Sequence, residues 1–345
     1  MKLIKVANNA ASYSDIYGDR APQVEYGQNV SLKSVLVTGS QGMLGNGLAK
    51  TFQFLRDSGV FPNLEIFLAS RSWDKELEST WKKNKIDAIT LDQILNLTGI
   101  SHVIHASSPS NITQIDTFEQ LTNANLTVAE QIIHLNPAKL IYMSSSEVFR
   151  GHSSGGNVPY LDFSKLNKRD WYPLSKLETE NYLFEVSKKS SINIDIVRLF
   201  HTFGPGVKKD DGRSFADFLW GAASEGQVTL KSNGEQKRTF LYLSDAIDGI
   251  LKLLLSNGPS FRTVNIGSLE EISILEFAEL VCEISNSKLN FTKDSTFLHS
   301  PNNSIVPSME EMSELGWSPR VDLQQAVEMT YSWIIKSMVV NPNLK

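Results

Sequence analysis

Apolar residues cluster in two kinds of pattern that alternate along the first half of this chain. Val35-Leu36-Val37, Leu64–Leu68, His102–His105, Leu140–Met143 and Ile194–Leu199 are short apolar runs bounded by polar or turn-forming residues. Such runs predict strands buried on both faces. Between them apolar residues recur at helical spacing. Leu48 and Phe52 share a face within 45–52, and Leu121, Leu126, Val128, Ile132 and Ile133 mark a helix over 118–135. A further helical segment runs from Leu177 to Val186. Strand and helix alternating in this way predict an α/β fold, a doubly wound parallel sheet with helices on both faces, over residues 34–200. Beyond the Gly- and Asp-rich loops at 204–213 the pattern breaks into short strands and helices, which predicts a smaller C-terminal α/β substrate lobe over 201–345. Residues 1–33 are polar and mixed, and predict an irregular or weakly helical N-terminal extension that packs on the surface.

Composition narrows the function class. The chain has 345 residues, 41% hydrophobic and 21% charged, with a net charge of −5. The negative balance gives no electrostatic reason to expect nucleic acid or an anionic membrane as partner. The one cysteine, Cys282, sits in the apolar run Ala278–Cys282 and reads as a small core residue. No intrachain disulfide can form, which fits a cytoplasmic location. The N-terminus lacks the apolar stretch of a signal peptide, and no run approaches the ~20 apolar residues of a membrane helix. No histidine pair has ligand spacing on one element, so no metal is expected.

The segment Thr38-Gly39-Ser40-Gln41-Gly42-Met43-Leu44-Gly45 sets glycines at every third position between a strand and a helix. The first glycine permits a tight turn, the second lets backbone approach a pyrophosphate, and the third lets the helix pack close to the strand. Free N–H groups at the helix start then face the phosphates. This predicts a dinucleotide site of Rossmann type, with Gln41, Met43 and Leu44 beside the ligand. The second strand ends Ala69-Ser70-Arg71 with no carboxylate for a ribose hydroxyl. Arg71 leans the cofactor, NAD or NADP, toward NADP if it faces the ribose, and is a solvated surface arginine otherwise. Asp92, near the end of the third strand region, is a partner for the adenine amino group or an ordinary loop aspartate.

Tyr172-Pro173-Leu174-Ser175-Lys176 places a phenol and an ammonium four residues apart, on one face of a helix. A free phenol has a pKa of about 10. A neighbouring ammonium favours its phenolate, which can take a hydroxyl proton while hydride leaves the same carbon. Met143-Ser144-Ser145-Ser146-Glu147-Val148-Phe149 lies at the carboxyl end of a strand, where ligands bind in parallel sheets. A hydroxyl from this run can bond the reacting oxygen.

With these residues in order, the chain resembles the extended short-chain dehydrogenase/reductases, the NAD-dependent epimerase/dehydratase family that acts on nucleotide sugars. The resemblance runs from about Ser34 to Ser332. It includes Val103–Ala106, Asn125, Ser144–Phe149, Tyr172…Lys176, Arg198–Gly206, Arg238-Thr239-Phe240, Leu243–Ala246, Asn265-Ile266-Gly267 and Leu315–Pro319. It implies a Rossmann domain to which about 237–268 return, with Ala106, Ser107 and Asn125 also lining the cofactor. It implies catalytic roles for Ser145, Tyr172 and Lys176, the family's Ser-x-x-Val spacing selecting Ser145. It implies a nucleotide-diphosphate sugar bound by Ser108, Ser145, Ser146, His201, Arg213 and Arg238, with Arg238 on the diphosphate. His201 stands where the family has an asparagine. A homodimer through the Tyr/Lys helix and its neighbour is also implied.

Within that family the reaction passes through a 4-keto sugar. Ser146-Glu147 replaces the Asp-Glu pair of the dehydratases, and resembles the glucuronate decarboxylases, as does Asp210-Asp211-Gly212-Arg213. Glu147 is then an auxiliary acid/base, or a structural carboxylate at a strand end. Phe149-Arg150-Gly151, Gly206 and the segment 300–308 depart from the family pattern and leave the sugar open. A sugar-nucleotide 4-epimerase or decarboxylase is expected first. An NADPH-dependent 4-keto sugar reductase and a non-catalytic dinucleotide sensor are the alternatives, the sensor having no need of the full Ser/Tyr/Lys set.

Overall fold

The structure, a computed structural model, describes residues 12–22, 32–108, 115–149, 168–292 and 306–341. The departures at Arg150-Gly151 and 300–305, and the rest of the N-terminal extension, lie outside these residues. A short helix α1 (Tyr13–Tyr17) precedes β1 (Ser34–Thr38), α2 (Met43–Asp57), β2 (Glu65–Ser70), α3 (Lys75–Lys83) and β3 (Asp87–Thr90). β4 (His102–His105), α4 (Phe118–His134), β5 (Lys139–Ser145), α5 (Trp171–Ser187) and β6 (Asn193–Leu199) follow. The second half adds β7 (Thr202–Phe203), α6 (Ser214–Glu225), β8 (Gln227–Leu230), β9 (Lys237–Thr239), β10 (Leu241–Tyr242) and α7 (Leu243–Leu255). It ends with β11 (Phe261–Ile266), β12 (Glu271–Ser273), α8 (Ile274–Ser285), β13 (Lys288–Phe291), α9 (Glu310–Glu314) and α10 (Leu323–Val340).

Seven strands form one sheet in the order β11-β6-β5-β4-β1-β2-β3, every pair parallel. The chain builds outward from β1 to β3, then returns to the other side of β1 and builds outward again. That reversal opens a crevice between the carboxyl ends of β1 and β4, where ligands bind in such sheets. The doubly wound α/β prediction therefore holds.

The sheet is covered on both faces, which is why its strands read as unbroken apolar runs. Side chains alternate between the faces. Val35, Val37, Ile141, Met143 and Val197 join the core shared with α2 and α7. Leu36, Leu140, Tyr142, Ile194 and Ile196 join the opposite core, under Val128, Ala129 and Ile132 of α4 and Leu183 of α5. At the amino end, fully buried Asp195 pairs with Lys139 at 2.7 Å and with Arg262 at 2.6 Å, pinning β5, β6 and β11 together. The second half packs on an aromatic cluster, with Phe240 and Phe277 ring centroids 4.5 Å apart and Trp220 edge-on to Trp333.

Two elements depart from the sequence reading. α3 forms because Leu77 and Trp81 share a face and Asp74 caps the helix, accepting from the amides of Glu76 and Leu77. The N-terminal extension is not confined to the surface: Ile16 and Tyr17 of α1 are buried. Glycine in α2 makes room for α7, since a Cβ on Gly47 would stand 2.7 Å from the Ile247 Cδ1, and Ile16 packs against the same spot at ordinary contact distance. Tyr13 stacks on Phe54 at 4.0 Å, and the Tyr17 hydroxyl donates to Asp248 at 3.0 Å. Among the described residues no helix is long and apolar enough to cross a membrane.

If α1 is part of the core, Ile16→Ala should destabilise the protein by about 2–4 kcal/mol in urea or thermal unfolding. A loss below about 0.5 kcal/mol, the scale of a surface change, would show that the segment packs only superficially.

Candidate active site

The crevice is floored by the glycine turn. Gly39 has φ +71°, a left-handed conformation, and a Cβ there would stand 2.7 Å from the backbone of Ala106. A Cβ on Gly45 would collide with the Gly39 carbonyl. Gly42 is the N-cap of α2 and no side chain caps the helix, so the first-turn amides of Met43, Leu44 and Gly45 have no side-chain acceptor. A tight turn, a close backbone approach and an uncapped helix start are what a pyrophosphate requires, so these residues fit a dinucleotide. Gln41 is exposed on the rim and donates to the Ser70 hydroxyl at 3.0 Å and to the Ser72 carbonyl. Arg71 follows β2 beside it and is exposed. Asp92 is exposed in the short 3-10 turn Leu91–Asn96 after β3.

Across the crevice, the chain leaving β4 carries Ala106, Ser107 and Ser108. The Ser107 amide donates to the Thr38 hydroxyl at 3.1 Å, holding this segment against the turn. The Ser108 hydroxyl is buried without a hydrogen-bond partner among the described residues. Asn125 of α4 is buried and its amide donates to the Ser175 hydroxyl at 3.2 Å. Its Oδ1 has no partner among the described residues. Asn125 thus ties α4 to α5, the helix that carries Tyr172 and Lys176.

Ser145 is the last residue of β5, and its hydroxyl accepts the Glu147 amide at 3.2 Å across the turn Ser146–Phe149. Ser146 itself is buried. α5 brings Tyr172 and Lys176 to the same strand end, with Pro173 in the first turn where its missing N–H costs nothing. Lys176 donates to the Met143 carbonyl at 2.9 Å, and its ammonium lies 4.9 Å from the Tyr142 ring and 5.8 Å from that of Tyr172. Burial pushes the lysine down to about 7, and the Glu180 carboxylate opposes that fall. Burial also raises the Tyr172 phenol. The Arg213 charge and a hydrogen bond with Ser145 pull it back, while Glu147 pushes it further up. The sequence assigned the lowering of this phenol to Lys176; the neighbours that lower it in the structure are Arg213 and Ser145.

Around His201 the structure gathers Arg213, Arg238 and Glu147. The His201 Nδ1 is buried with no partner among the described residues, and its ring stands edge-on to Phe240. Burial holds this imidazole down at about 4. Glu147 acts against that, and Arg238 and Arg213 reinforce it. The histidine is therefore neutral at physiological pH. Arg213 is held by Asp211, with one bond of 2.8 Å, and lies 4.7 Å from the Phe215 ring. Arg238, on β9, donates to the Lys237 carbonyl at 2.6 Å. Two guanidiniums around a neutral imidazole suit an anionic ligand. No group of three His, Cys, Asp or Glu side chains among the described residues is placed to hold a metal.

Several site residues went unassigned at the sequence level. Thr38 and His105 face each other across β1 and β4 and share a hydrogen bond of 2.8 Å. His105 in turn faces Tyr142 across β4 and β5. Burial, then the Lys176 charge, hold His105 at about 3. Ser144, Glu180 and Arg198 form a largely buried group beside Ser145. A polar residue closing an apolar strand was the available signal for Thr38 and His105.

A model of the NAD dependent epimerase/dehydratase family matches residues 35–267. UDP-glucuronic acid decarboxylase 1 of Xenopus tropicalis is 25% identical over 349 residues, covering 97% of this chain and 79% of that protein. The UDP-glucose 4-epimerase of Thermotoga maritima, solved with UDP-glucose, superposes with a TM-score of 0.72 at 18% identity, covering 88% of this chain and 99% of the other. The UDP-glucuronic acid 4-epimerase of Bacillus cereus, solved with UDP-glucuronic acid and NAD, gives 0.69 at 22% identity with the same coverage. These superpositions establish a shared fold.

Gly45→Ala tests the cradle. The added methyl meets backbone, which cannot swing aside, so dinucleotide affinity measured by calorimetry should fall at least about tenfold. Unchanged affinity in the folded variant would place the dinucleotide elsewhere.

Proposed function

This chain belongs to the NAD-dependent epimerase/dehydratase family, and we propose from that premise that it is an NAD(P)-dependent enzyme acting on a nucleotide-diphosphate sugar through a 4-keto intermediate. The reaction is that of a sugar-nucleotide 4-epimerase or a UDP-glucuronate decarboxylase-like enzyme. What carries the proposal is the convergence of Ser145, Tyr172 and Lys176 on the carboxyl edge of β5, across the crevice from the glycine turn.

A nicotinamide dinucleotide held by the glycine turn of Gly39, Gly42 and Gly45 would supply reversible hydride acceptance. The remaining work falls to side chains. Tyr172 takes the proton of the sugar hydroxyl, helped by the Arg213 charge and the Ser145 hydrogen bond that favour its phenolate. Ser145 bonds the reacting oxygen and is aligned by the Glu147 amide. Lys176 anchors α5 to β5 through the Met143 carbonyl. Arg213 and Arg238 hold anionic groups of the substrate beside neutral His201. Glu147 acts on both Tyr172 and His201 electrostatically, which supports a role for its carboxylate near the reacting carbon. A β-keto acid formed at C4 loses its C5 carboxylate as carbon dioxide, leaving an enolate on the ring. Glu147 is the group to return a proton to C5 before the ketone is reduced. The relationship to decarboxylases favours this branch.

A second reading, net reduction of a 4-keto sugar by NADPH, is favoured by exposed Arg71 beside Gln41 at the end of β2. A sensor without turnover is disfavoured by the assembled catalytic set. By the family resemblance we also infer a homodimer through α4 and α5, which leaves Phe184 43% exposed in the protomer. The lone Cys282 supports a cytoplasmic setting. Light scattering that returns a monomer at working concentration would refute the dimer.

Purified protein given UDP-glucuronic acid and NAD should release carbon dioxide and a pentose nucleotide, or else a C4 epimer, by mass spectrometry and NMR. Tyr172→Phe should lower kcat by about 10²- to 10⁴-fold with dinucleotide affinity retained. Near-normal turnover in that variant would remove Tyr172 from the chemistry. Denatured protein releasing stoichiometric NAD supports the self-recycling reaction. Empty protein that prefers NADPH supports the reductase and assigns Arg71 the extra phosphate.

A further inference from the structure

α5 is bolted to β5 at two successive turns. The upper bolt is the Lys176 bond to the Met143 carbonyl. One turn along, Glu180 accepts a hydrogen bond from the Ser144 hydroxyl and a two-point pair from Arg198, at 3.2 and 2.7 Å. Ser144 and Arg198 face each other across the β5–β6 ladder, so one carboxylate bridges both strands. Ser144 and Glu180 are 5% and 6% exposed, so water offers these groups little alternative. A buried carboxylate that gains three donors is held in one place. Arg198 is also stacked by Phe149 of the turn after Ser145, 5.0 Å from ring to guanidinium.

We propose that Glu180 is a positioning residue for the reaction: clamped by Arg198, it fixes the strand end that carries Ser145 through Ser144 and supplies the counter-charge that keeps the Lys176 ammonium in place. This rests on the catalytic reading of Tyr172, Lys176 and Ser145, and adds the element that locks the serine strand to the Tyr/Lys helix. Glu180 is almost fully buried, so any effect on sugar and dinucleotide is indirect. Its effect reaches them through Ser144 and Lys176. The charge relation stands on geometry: Lys176 and Glu180 lie four residues apart on one buried face of α5, and the Glu180 carboxylate opposes the fall of Lys176 caused by burial. Removing its charge lowers the pH at which Lys176 loses its proton.

The test follows Lys176 directly in protein with isotope-labelled lysine side chains, its NMR signal assigned by its absence in Lys176→Met. In the wild type this lysine should titrate far below an ordinary lysine. In Glu180→Gln, which keeps an acceptor for Ser144, the midpoint should fall by about one unit or more. An unmoved midpoint in folded Glu180→Gln overturns the charge role. Ser144→Ala keeps the Glu180–Arg198 pair and covers the case in which the glutamine variant does not fold. It should lower kcat about threefold to tenfold with KM unchanged. Wild-type kcat in Ser144→Ala overturns the link to Ser145. If the wild type turns over no nucleotide sugar, the enzymatic reading fails, and the Lys176 titration still decides the role of Glu180.

Discussion

No side-chain carbon fits between the turn after β1 and the chain leaving β4, and the site depends on that exclusion. Gly39 must adopt its left-handed conformation against Ala106, and Gly45 must start α2 directly over the Gly39 carbonyl. With those contacts made, the amides at the head of α2 point into the crevice left by the reversal of strand order. The Thr38 hydroxyl then holds Ser107 and His105 on the opposite wall. Bulk at either glycine pushes apart the two walls that a pyrophosphate must touch together.

Around that crevice the electrostatics divide into two zones. In one the strongly basic groups are Arg213 and Arg238, while His201 is kept neutral by burial and by those same arginines. Beneath the crevice lies a buried layer in which Lys176, His105 and Tyr142 pack together, and burial works against the charge of each. Desolvation alone would leave Lys176 poorly charged and Tyr172 firmly protonated. Specific neighbours correct each group: Glu180 for the lysine, Arg213 and Ser145 for the tyrosine. Tyr172 and Lys176 are therefore tuned by residues drawn from β5, from α5 and from the loop before α6.

What the sequence disclosed was whatever is local. β1, β2, β4, β5 and β6 were legible because strands covered on both faces are apolar throughout. Two- and three-residue strands such as β7 and β9 carry no period, and α3 has too few apolar positions to stand out. The glycine turn and the Tyr172/Lys176 pair were legible because their geometry lies within one turn or one helix. The Ser144–Glu180–Arg198 group was not, since its members come from β5, α5 and β6 and meet only once the sheet has formed. The buried placement of Ile16 and Tyr17 was hidden for the same reason, because the Asp248 that receives Tyr17 lies on α7, far along the chain.

That N-terminal helix precedes the stretch matched by the family, which begins at residue 35. Tyr13 rests on Phe54 of α2, Tyr17 bonds Asp248 of α7, and Arg20 reaches Met329 of α10 at 3.8 Å. Asp248 also takes Arg320 from the loop leading into α10. One short segment therefore straps the helix that heads the phosphate cradle to the last helix of the chain. Mechanically it is a tie bar: relative motion of the helices it joins would load this strap, so stiffness is set partly by residues outside the stretch that the family model matches.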